Sequence, residues 1–255
     1  MVTTLHQLAT YTNELLASHT FTDYCPNGIQ VEASANPHIK TIVAGVTACQ
    51  ELITAAAERQ ADLLLVHHGL FWRGESAAIT GYKAGRIRSL MQAGIHLLAY
   101  HLPLDFHPEL GNNVALARQL DLQVTQPLRN TQGKTVGLTG ALAHAVPASW
   151  LTQQIQQKLL RRPLHIGDPQ AEIQSLAWCT GAGQGFIDCA LQAGVDAYLS
   201  GEISEATVHF ARENHMHYFA AGHHATEMFG VQRLGEHLAT RFSLVYHFIN
   251  IDNPA

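Results

Sequence analysis

The sequence predicts an α/β protein made of two related lobes. Short apolar runs alternate with segments of helical periodicity along nearly the whole chain. A polar stretch near the middle, TQPLRNTQGK at 125–134, is the best candidate for a boundary between two lobes. Two segments of the first half also resemble two segments of the second half. With 255 residues and 47% hydrophobic content, the chain can bury a substantial core.

The alternation of helices and strands predicts parallel pairing in the first half, because a crossover helix returns the chain to the same end of the sheet. The predicted elements, in chain order, are helix 4–17, strand 41–46, helix 49–60, strand 62–66, helix 82–93, strand 95–100 and helix 111–120.

The second half repeats this alternation after the polar stretch. Its predicted elements are strand 135–142, helix 149–159, strand 174–179, helix 186–193, strand 196–199, helix 204–214, strand 217–221, helix 225–239 and strand 243–248.

A weak internal repeat supports the two lobes. The segment RQADLLLVHHG resembles AGVDAYLSGE, and AGIHLLAYHLPLD resembles ENHMHYFAAGHHATE. Each segment is the end of a helix, a short apolar strand and a polar exit. In α/β sheets, ligands bind beyond the carboxyl ends of the strands, so these polar exits are the expected place for a functional site.

Composition excludes several classes of function. The net charge is -5 and no basic run exceeds Arg161-Arg162, which argues against tight binding to a nucleic-acid backbone. The four cysteines lack CxxC spacing, and the segment MVTTLHQLATYTNELL lacks the pattern of a secretory signal. No apolar stretch approaches the ~20 residues that span a bilayer. We therefore expect a cytoplasmic protein with free thiols and no membrane partner.

Histidine is the unusual residue, with 17 copies against 15 of Lys and Arg together. His67 and His68 directly follow a predicted buried strand, in the run LLLVHHG. Consecutive side chains diverge at a strand end, so each imidazole can serve a different metal ion. This pair predicts a site for two ions.

Two further strand exits carry metal-binding side chains. In YHLPLD, Pro103 stiffens the loop that presents Asp105, a hard anionic ligand. In AAGHHATE, His223 and Glu227 are four residues apart and fall on one face if the helix starts there. A histidine and a carboxylate at this spacing can hold a metal ion together.

These five residues form the predicted metal centre: His67, His68, Asp105, His223 and Glu227. Imidazoles combined with carboxylates suit two divalent ions of zinc, manganese, iron or nickel, and the sequence does not distinguish among these metals. A carboxylate can bridge two ions ~3.5–4 Å apart, and we assign that role to Glu227. For any single histidine the alternative is a hydrogen bond to a backbone carbonyl. Five such residues at three strand ends favour metal.

Other candidates surround this centre. Glu202 occupies the repeat's counterpart of His67-His68 and is a candidate general base, with a surface or helix-capping role as the alternative. His101 is a candidate proton shuttle or a donor to a ligand, unless it is a solvated loop residue. The loop glycines Gly181, Gly183 and Gly185 would let backbone amides approach a substrate phosphate, although a simple tight turn explains them equally well.

The strings NGIQVE, VHHGLFW, YHLPLDFHPELGNN, TGAGQGFIDCALQAGVDAYLSGE and GHHATE together resemble the GTP cyclohydrolase I type 2-like family, also described as Nif-three-like dinuclear-metal proteins. The resemblance covers nearly the whole chain. It implies two related, intertwined α/β lobes with mixed sheets flanked by helices and a dinuclear metal site between them. The corresponding lobes are 1–125 with about 222–255, and 126–221.

The resemblance also implies six protomers closed into a toroid, with the metal site facing the central cavity. The family's metal ligands fall on the same five residues here, with Glu227 in the bridging position. Some relatives carry an inserted domain between the lobes. This chain has only the short stretch around 125–134 and is similar to the compact members.

Two functions remain in competition. The first is a metal-dependent hydrolase that acts on a purine nucleotide or a related small molecule through metal-activated water; the family name implies opening of the GTP imidazole ring. The second is a non-enzymatic, toroidal metal-binding protein that contacts single-stranded nucleic acid or a regulatory partner. The negative net charge weighs against strong affinity for a phosphate backbone.

Overall fold

The computed structural model of the protein describes residues 3–255. Its polypeptide divides into two compact units. The first contains residues up to Gly111 together with Gly230–Asp252, and the second contains Asn112–Phe229 with Asn253–Ala255. Among the helices of residues 3–255, none is both long and apolar enough to cross a membrane.

The first part of the chain alternates strands and helices. Its elements are β1 (Thr3–Thr4), α1 (Leu5–Leu15), a 3-10 turn (Ser18–Thr20), β2 (Gly28–Val31), β3 (His38–Ile39), β4 (Thr41–Thr47), α2 (Gln50–Glu58), β5 (Leu63–His68), α3 (Gly81–Ala93), β6 (His96–Ala99) and α4 (Leu102–Asp105).

The remainder of the chain continues in the same way. Its elements are α5 (Asn112–Gln119), β7 (Gln123–Arg129), β8 (Thr135–Pro147), α6 (Ala148–Leu159), β9 (Leu164–Ile166), β10 (Glu172–Cys179), a 3-10 turn (Gln184–Phe186), α7 (Ile187–Gln192), β11 (Ala197–Ser200), α8 (Glu205–Glu213), β12 (His217–Ala220), α9 (His223–Phe242) and β13 (Val245–Phe248).

The first unit is built on a five-stranded sheet in the order β13-β4-β5-β6-β2. Strands β13, β4, β5 and β6 are parallel, and β2 joins the edge of β6 antiparallel. Val43, Leu64 and Leu97, on three neighbouring strands, pack with Leu52 and Ile53 of α2 in one apolar cluster. This core fixes the strand ends that carry His67 and His68. A separate two-stranded ribbon pairs β1 with β3.

The second unit is built on a six-stranded sheet in the order β7-β8-β10-β11-β12-β9. Its centre, β10-β11-β12, is parallel, whereas β7, β8 and β9 pair antiparallel with their neighbours. One apolar cluster contains Leu151 and Ile155 of α6 with Trp178 and Phe219 of the sheet. Another contains Tyr198 and other buried residues of the sheet. Both sheets are therefore mixed and flanked by helices, as expected.

The internal repeat is visible in the structure as the same hydrogen-bonding arrangement before a parallel strand in each unit. Asp62, before β5, accepts hydrogen bonds from the amides of Lys40 and Thr41 through Oδ2, at 2.8 and 2.9 Å. Asp196, before β11, accepts from the amides of Gln174 and Ser175 at 3.0 and 2.8 Å. Each aspartate thus ties the start of one parallel strand to the start of the next.

The edge strands depart from the sequence-based expectation. Residues 125–134, expected only as a polar connection, contain most of β7 and its turn into β8, and residues 123–127 of β7 are all exposed. Strands β2 and β9 were also not predicted. Short, polar or half-exposed edge strands lack the apolar alternation that identifies a strand, because only one flank of each is paired in the sheet.

A histidine pair at the edge of the second sheet predicts a pH-dependent stability. His165 Nε2 lies 3.1 Å from His217 Nδ1, and the His165 ring stacks on Phe219 at 4.5 Å. Burial, followed by the charge of His217, lowers the pKa of His165 from 6.5 to about 4. The unfolded chain therefore binds this proton first as pH falls. We expect the free energy of unfolding to decrease between pH 6.5 and 4, and His165→Gln to flatten that decrease.

Urea denaturation at intervals from neutral pH down to the folded-state pKa of His165 measures this effect. His144→Gln, which removes an exposed histidine from the same unit, is the matched control and should retain the wild-type slope. An unchanged slope in the His165→Gln protein would show that the pair does not couple protonation to folding.

Candidate metal centre

The first unit gathers metal-binding side chains at the carboxyl edge of its sheet. His67 and His68 are the last residues of β5, and His101 and Asp105 lie at the start and end of the short α4 segment after β6. His67 is fully buried and Asp105 is 7% exposed. His67 Nε2 lies 3.4 Å from Asp105 Oδ1. Parallel pairing of β5 and β6 is what brings these residues to one edge.

Backbone and hydroxyl groups hold the Nδ1 atoms of the two β5 histidines. His67 Nδ1 lies 2.9 Å from the Tyr100 carbonyl oxygen, which can only accept, so this nitrogen carries the hydrogen. His68 Nδ1 lies 3.0 Å from Thr47 Oγ1, at the end of the neighbouring strand β4. A metal ion bound by either ring would therefore use Nε2, with the tautomer set by the second nitrogen.

Asp23 holds His101 in the same manner, and the sequence reasoning missed this residue. Its side chain is 3% exposed, and its Oδ1 lies 2.7 Å from His101 Nδ1. Burial alone would raise its pKa, but hydrogen bonds and the charge of His101, with hydrogen bonds from Asn27 and Cys25, lower the pKa of Asp23 to about 2. Asp23 is therefore an anion at neutral pH. The contact joins residues 78 positions apart, and the only nearby signal in the sequence is the Asn27-Gly28 dipeptide, which is typical of a turn.

The loop around Asn27 fixes this pair further. Asn27 Nδ2 donates to Asp23 Oδ2 at 2.9 Å, while Asn27 Oδ1 accepts from the His101 amide at 2.7 Å. The Leu102 amide donates to Asp23 Oδ2 at 2.9 Å. A metal-binding atom from each of His67, His68 and His101 lies within 4.8 Å of the others. The first unit thus presents a group of three imidazoles.

The second unit presents a histidine and a carboxylate on the first turn of α9. His223 begins the helix and Glu227 is the fifth residue, with His223 Nε2 3.0 Å from Glu227 Oε2. Glu227 is 3% exposed. The predicted spacing on one helix face is confirmed. The helix starts two residues earlier than predicted, so both side chains belong to it.

Glu202 lies on the opposite side of the His223 ring. Its Oε1 is 2.7 Å from His223 Nδ1, and its Oε2 accepts from Gln184 Nε2 at 3.2 Å. Burial would lower the pKa of His223, but hydrogen bonds to Glu227 and Glu202, together with the negative charges of these carboxylates, raise the pKa to about 9. A metal ion must therefore displace a proton from this ring. Glu202 contacts a predicted ligand directly, and its role as a general base stays a prediction.

The glycine loop contacts Glu227 through one residue. Gly181 has φ +65°, and a Cβ placed there would lie 2.0 Å from Glu227 Oε1 and 3.2 Å from His223 Nε2. A Cβ at Gly183 would instead meet Cys179 and Ser200, and one at Gly185 would meet nothing within 4 Å. Only Gly181 therefore needs to be glycine because of the site. Phosphate binding by these glycines stays a prediction.

The donor set of each unit fits a divalent transition metal. Imidazole nitrogens and carboxylate oxygens are the ligands that zinc, manganese, iron and nickel share. Asp105 and Glu227 are almost fully buried beside His67 and His223, and a carboxylate removed from water in this way favours a nearby cation. All four cysteines are free thiols, and none belongs to the histidine group of the first unit.

Comparison with known proteins identifies relatives over the whole chain. The sequence model of the family Duf34/NIF3 (NGG1p interacting factor 3) matches residues 3–254. A "GTP cyclohydrolase 1 type 2 homolog" of Pseudomonas aeruginosa is 52% identical over 91% of both chains. The Vibrio cholerae protein of that name is 49% identical over 97% of this chain and 98% of its own. The resemblance found in the sequence is confirmed.

Solved structures agree with this relationship. A structural-genomics structure of protein ybgI, described as of unknown function, superposes with a TM-score of 0.94 at 45% identity, covering 99% of this chain and 100% of its own. A protein of Thermus thermophilus superposes with a TM-score of 0.87 at 30% identity, with the same coverage. Both confirm the mixed α/β fold.

Substitution of Gly181 tests the contact with Glu227. Gly181→Ala adds a backbone penalty of about 1–2 kcal/mol for its positive φ, and its Cβ must also displace the Glu227 carboxylate. Gly194→Ala is the matched control, because Gly194 has φ +68° and nothing within 4 Å. We expect both variants to lose stability, and only Gly181→Ala to lose bound metal as well.

Elemental analysis of the purified proteins, combined with thermal unfolding, separates the two effects. Gly185→Ala, in the same loop and open to space, should match the wild type in both measurements. Equal metal content in the Gly181→Ala and Gly194→Ala proteins would show that Glu227 does not need its present position to bind metal.

Proposed function

Because the chain belongs to the Duf34/NIF3 family, we propose that it is a cytoplasmic, dinuclear metal-dependent hydrolase that acts on a purine nucleotide or a related small molecule. One observation carries the proposal: the predicted metal-binding histidines of both units are held at Nδ1 by a fixed partner. Orientation through the second ring nitrogen is characteristic of metal-binding histidine. Free cysteines agree with a reducing compartment.

We propose that ligands from both units hold the two ions together. The first unit would contribute His67, His68 and Asp105, and the second unit would contribute His223 and Glu227, with Glu227 as the bridge. Support comes from the burial of both carboxylates and from the position of each group at the carboxyl end of parallel strands. The two ions would be zinc, manganese, iron or nickel, because these metals share this set of ligands.

Bound ions of this kind act as Lewis acids and activate water for attack on an electrophilic carbon or phosphorus. The residues of the chain then have three tasks. Tyr100 and Thr47 orient the rings of His67 and His68 through Nδ1. Glu202 orients His223, and its side chain is 40% exposed, so solvent reaches it. Gly181 keeps space for the Glu227 carboxylate.

The nature of the substrate rests on the names of relatives. The curated relatives are called GTP cyclohydrolase 1 type 2 homologs, which motivates a purine nucleotide as the first substrate to test. We propose Gly183 and Gly185 as residues that approach its phosphates, since Gly185 has open space on the side where a Cβ would stand. Ring opening and phosphoester cleavage are distinguished by the products.

Replacement of Glu227 tests the dinuclear hydrolase. The protein is purified without chelator, its metals are quantified per chain, and turnover of GTP and other nucleotides is followed by chromatography. We expect about two ions per wild-type chain, as in two-metal hydrolytic sites. The Glu227→Gln protein should lose at least one of these ions and all of its turnover. That change removes the charge needed to bridge two cations while conserving side-chain size.

Glu236→Gln is the matched control, because Glu236 lies on the same helix and is exposed. It should retain both metal and turnover. Two ions without turnover of any nucleotide would favour the alternative function, a toroidal metal-binding protein that contacts single-stranded nucleic acid or a regulatory partner. A chain without metal would refute both functions.

We also propose that the protein assembles as a homohexamer. Three apolar side chains around α3, those of Ile79, Tyr82 and Met91, are half or more exposed, and exposed apolar surface is often covered in oligomers. Sedimentation velocity should give a species of six times the mass of one chain. Tyr82→Glu should shift this species towards smaller assemblies, whereas a monomeric wild-type protein would contradict the proposal.

A further inference from the structure

The histidine group of the first unit contains one imidazole more than the proposed dinuclear site uses. His101 is 9% exposed and lies beside His67 and His68, with ring centroids 5.1 and 5.7 Å away. A metal-binding atom of all three rings lies within 4.8 Å of the others. The burial of His101 beside two other imidazoles is inconsistent with a solvated loop histidine.

His101 also has the support that metal-binding histidines have. Asp23 accepts a hydrogen bond from its Nδ1 at 2.7 Å, and the backbone amide of His101 is held by Asn27. Asp23 is itself fixed through further hydrogen bonds to both oxygens. A carboxylate bound to one ring nitrogen, with the other nitrogen directed to a cation, is the arrangement that increases ligand basicity and fixes the ring.

We infer that His101 is a further metal ligand, and that His67, His68 and His101 form a three-imidazole position that binds one divalent transition-metal ion within the first unit. Asp23 is the positioning residue of this site. The inference rests on the proposed function only because both use His67 and His68. These two rings bind either one ion together with His101, or the two ions of the dinuclear arrangement.

The chemistry of this position selects a class of ions. Three neutral imidazoles suit zinc, cobalt, nickel or copper, whereas magnesium and calcium prefer oxygen ligands. Three protein ligands also leave coordination positions for water or for a ligand in exchange. An ion could therefore bind the first unit before the ligands of the second unit participate, which makes His101 a residue for metal loading.

The experiment uses the full-length chain with His223 and Glu227 both replaced by Ala, which removes the second unit's contribution. Cobalt(II) is added to the metal-free protein and followed by its visible absorption and by competition with a chelator. We expect this double variant still to bind one cobalt ion per chain, and addition of His101→Ala to abolish that binding. Asp23→Asn should weaken it by about 10–100-fold, as loss of a supporting carboxylate does elsewhere.

A positive spectroscopic test comes from His101→Cys in the wild-type background. A cysteine that ligates cobalt(II) produces a thiolate-to-metal charge-transfer band, whereas a cysteine with a merely structural role does not. His144→Cys, an exposed position in the second unit, is the matched control and should lack the band. Circular dichroism and thermal unfolding establish that each variant is folded.

The Trp72 ring reports the location of the ion. It makes an edge contact with His101 at 5.1 Å and lies 5.8 Å from His68. Cobalt should quench tryptophan fluorescence in the wild type and much less in Trp72→Phe. No ion in the wild type would refute the proposed function as well. Two ions in the wild type, with none in the double variant and no band in His101→Cys, would refute the three-imidazole position alone.

Discussion

The candidate metal centre depends on how its imidazole rings are held at Nδ1. A neutral imidazole can offer a metal only the nitrogen that lacks hydrogen, so the partner of Nδ1 decides which atom that is. The Tyr100 carbonyl, Asp23 and Glu202 accept from His67, His101 and His223 and fix the same tautomer in each. These partners come from neighbouring strand ends and loops, so the geometry of the sheets determines the chemistry of the rings.

The sheets provide this geometry through a repeated unit. In each, three consecutive parallel strands end at one edge, and an aspartate before the middle strand ties its start to the preceding strand. The units differ in the residues at the carboxyl ends of these strands. The first unit ends its middle strand with His67-His68, whereas the second has Gly201-Glu202 at the corresponding place. One unit therefore has two imidazoles there, and the other has a carboxylate that holds the His223 ring.

Sequence reasoning predicted the parallel centre of each sheet because the buried strands are short apolar runs between segments of helical periodicity, such as 62–66 and 95–100. It also identified the residues at the strand ends, whose types suit metal. It did not find Asp23, because the nearby Asn27-Gly28 dipeptide does not indicate a partner 78 residues away from Asp23. The edge strands β2, β7 and β9 were missed for a related reason. Strands β2 and β9 pair with strands that are distant in sequence. Strand β7 pairs with the next strand, β8, but its own composition is polar and exposed.

The two supporting carboxylates differ in a way that separates their tasks. Asp23 is almost fully buried and accepts hydrogen bonds on both oxygens, so a proton could bind there only by breaking that network. It holds the His101 ring and is shielded from solvent. Glu202 is partly exposed and has two contacts, His223 and Gln184. It therefore retains access to solvent while it holds its ring. A carboxylate that exchanges with solvent during a reaction needs such access, which the surroundings of Glu202 provide and those of Asp23 do not.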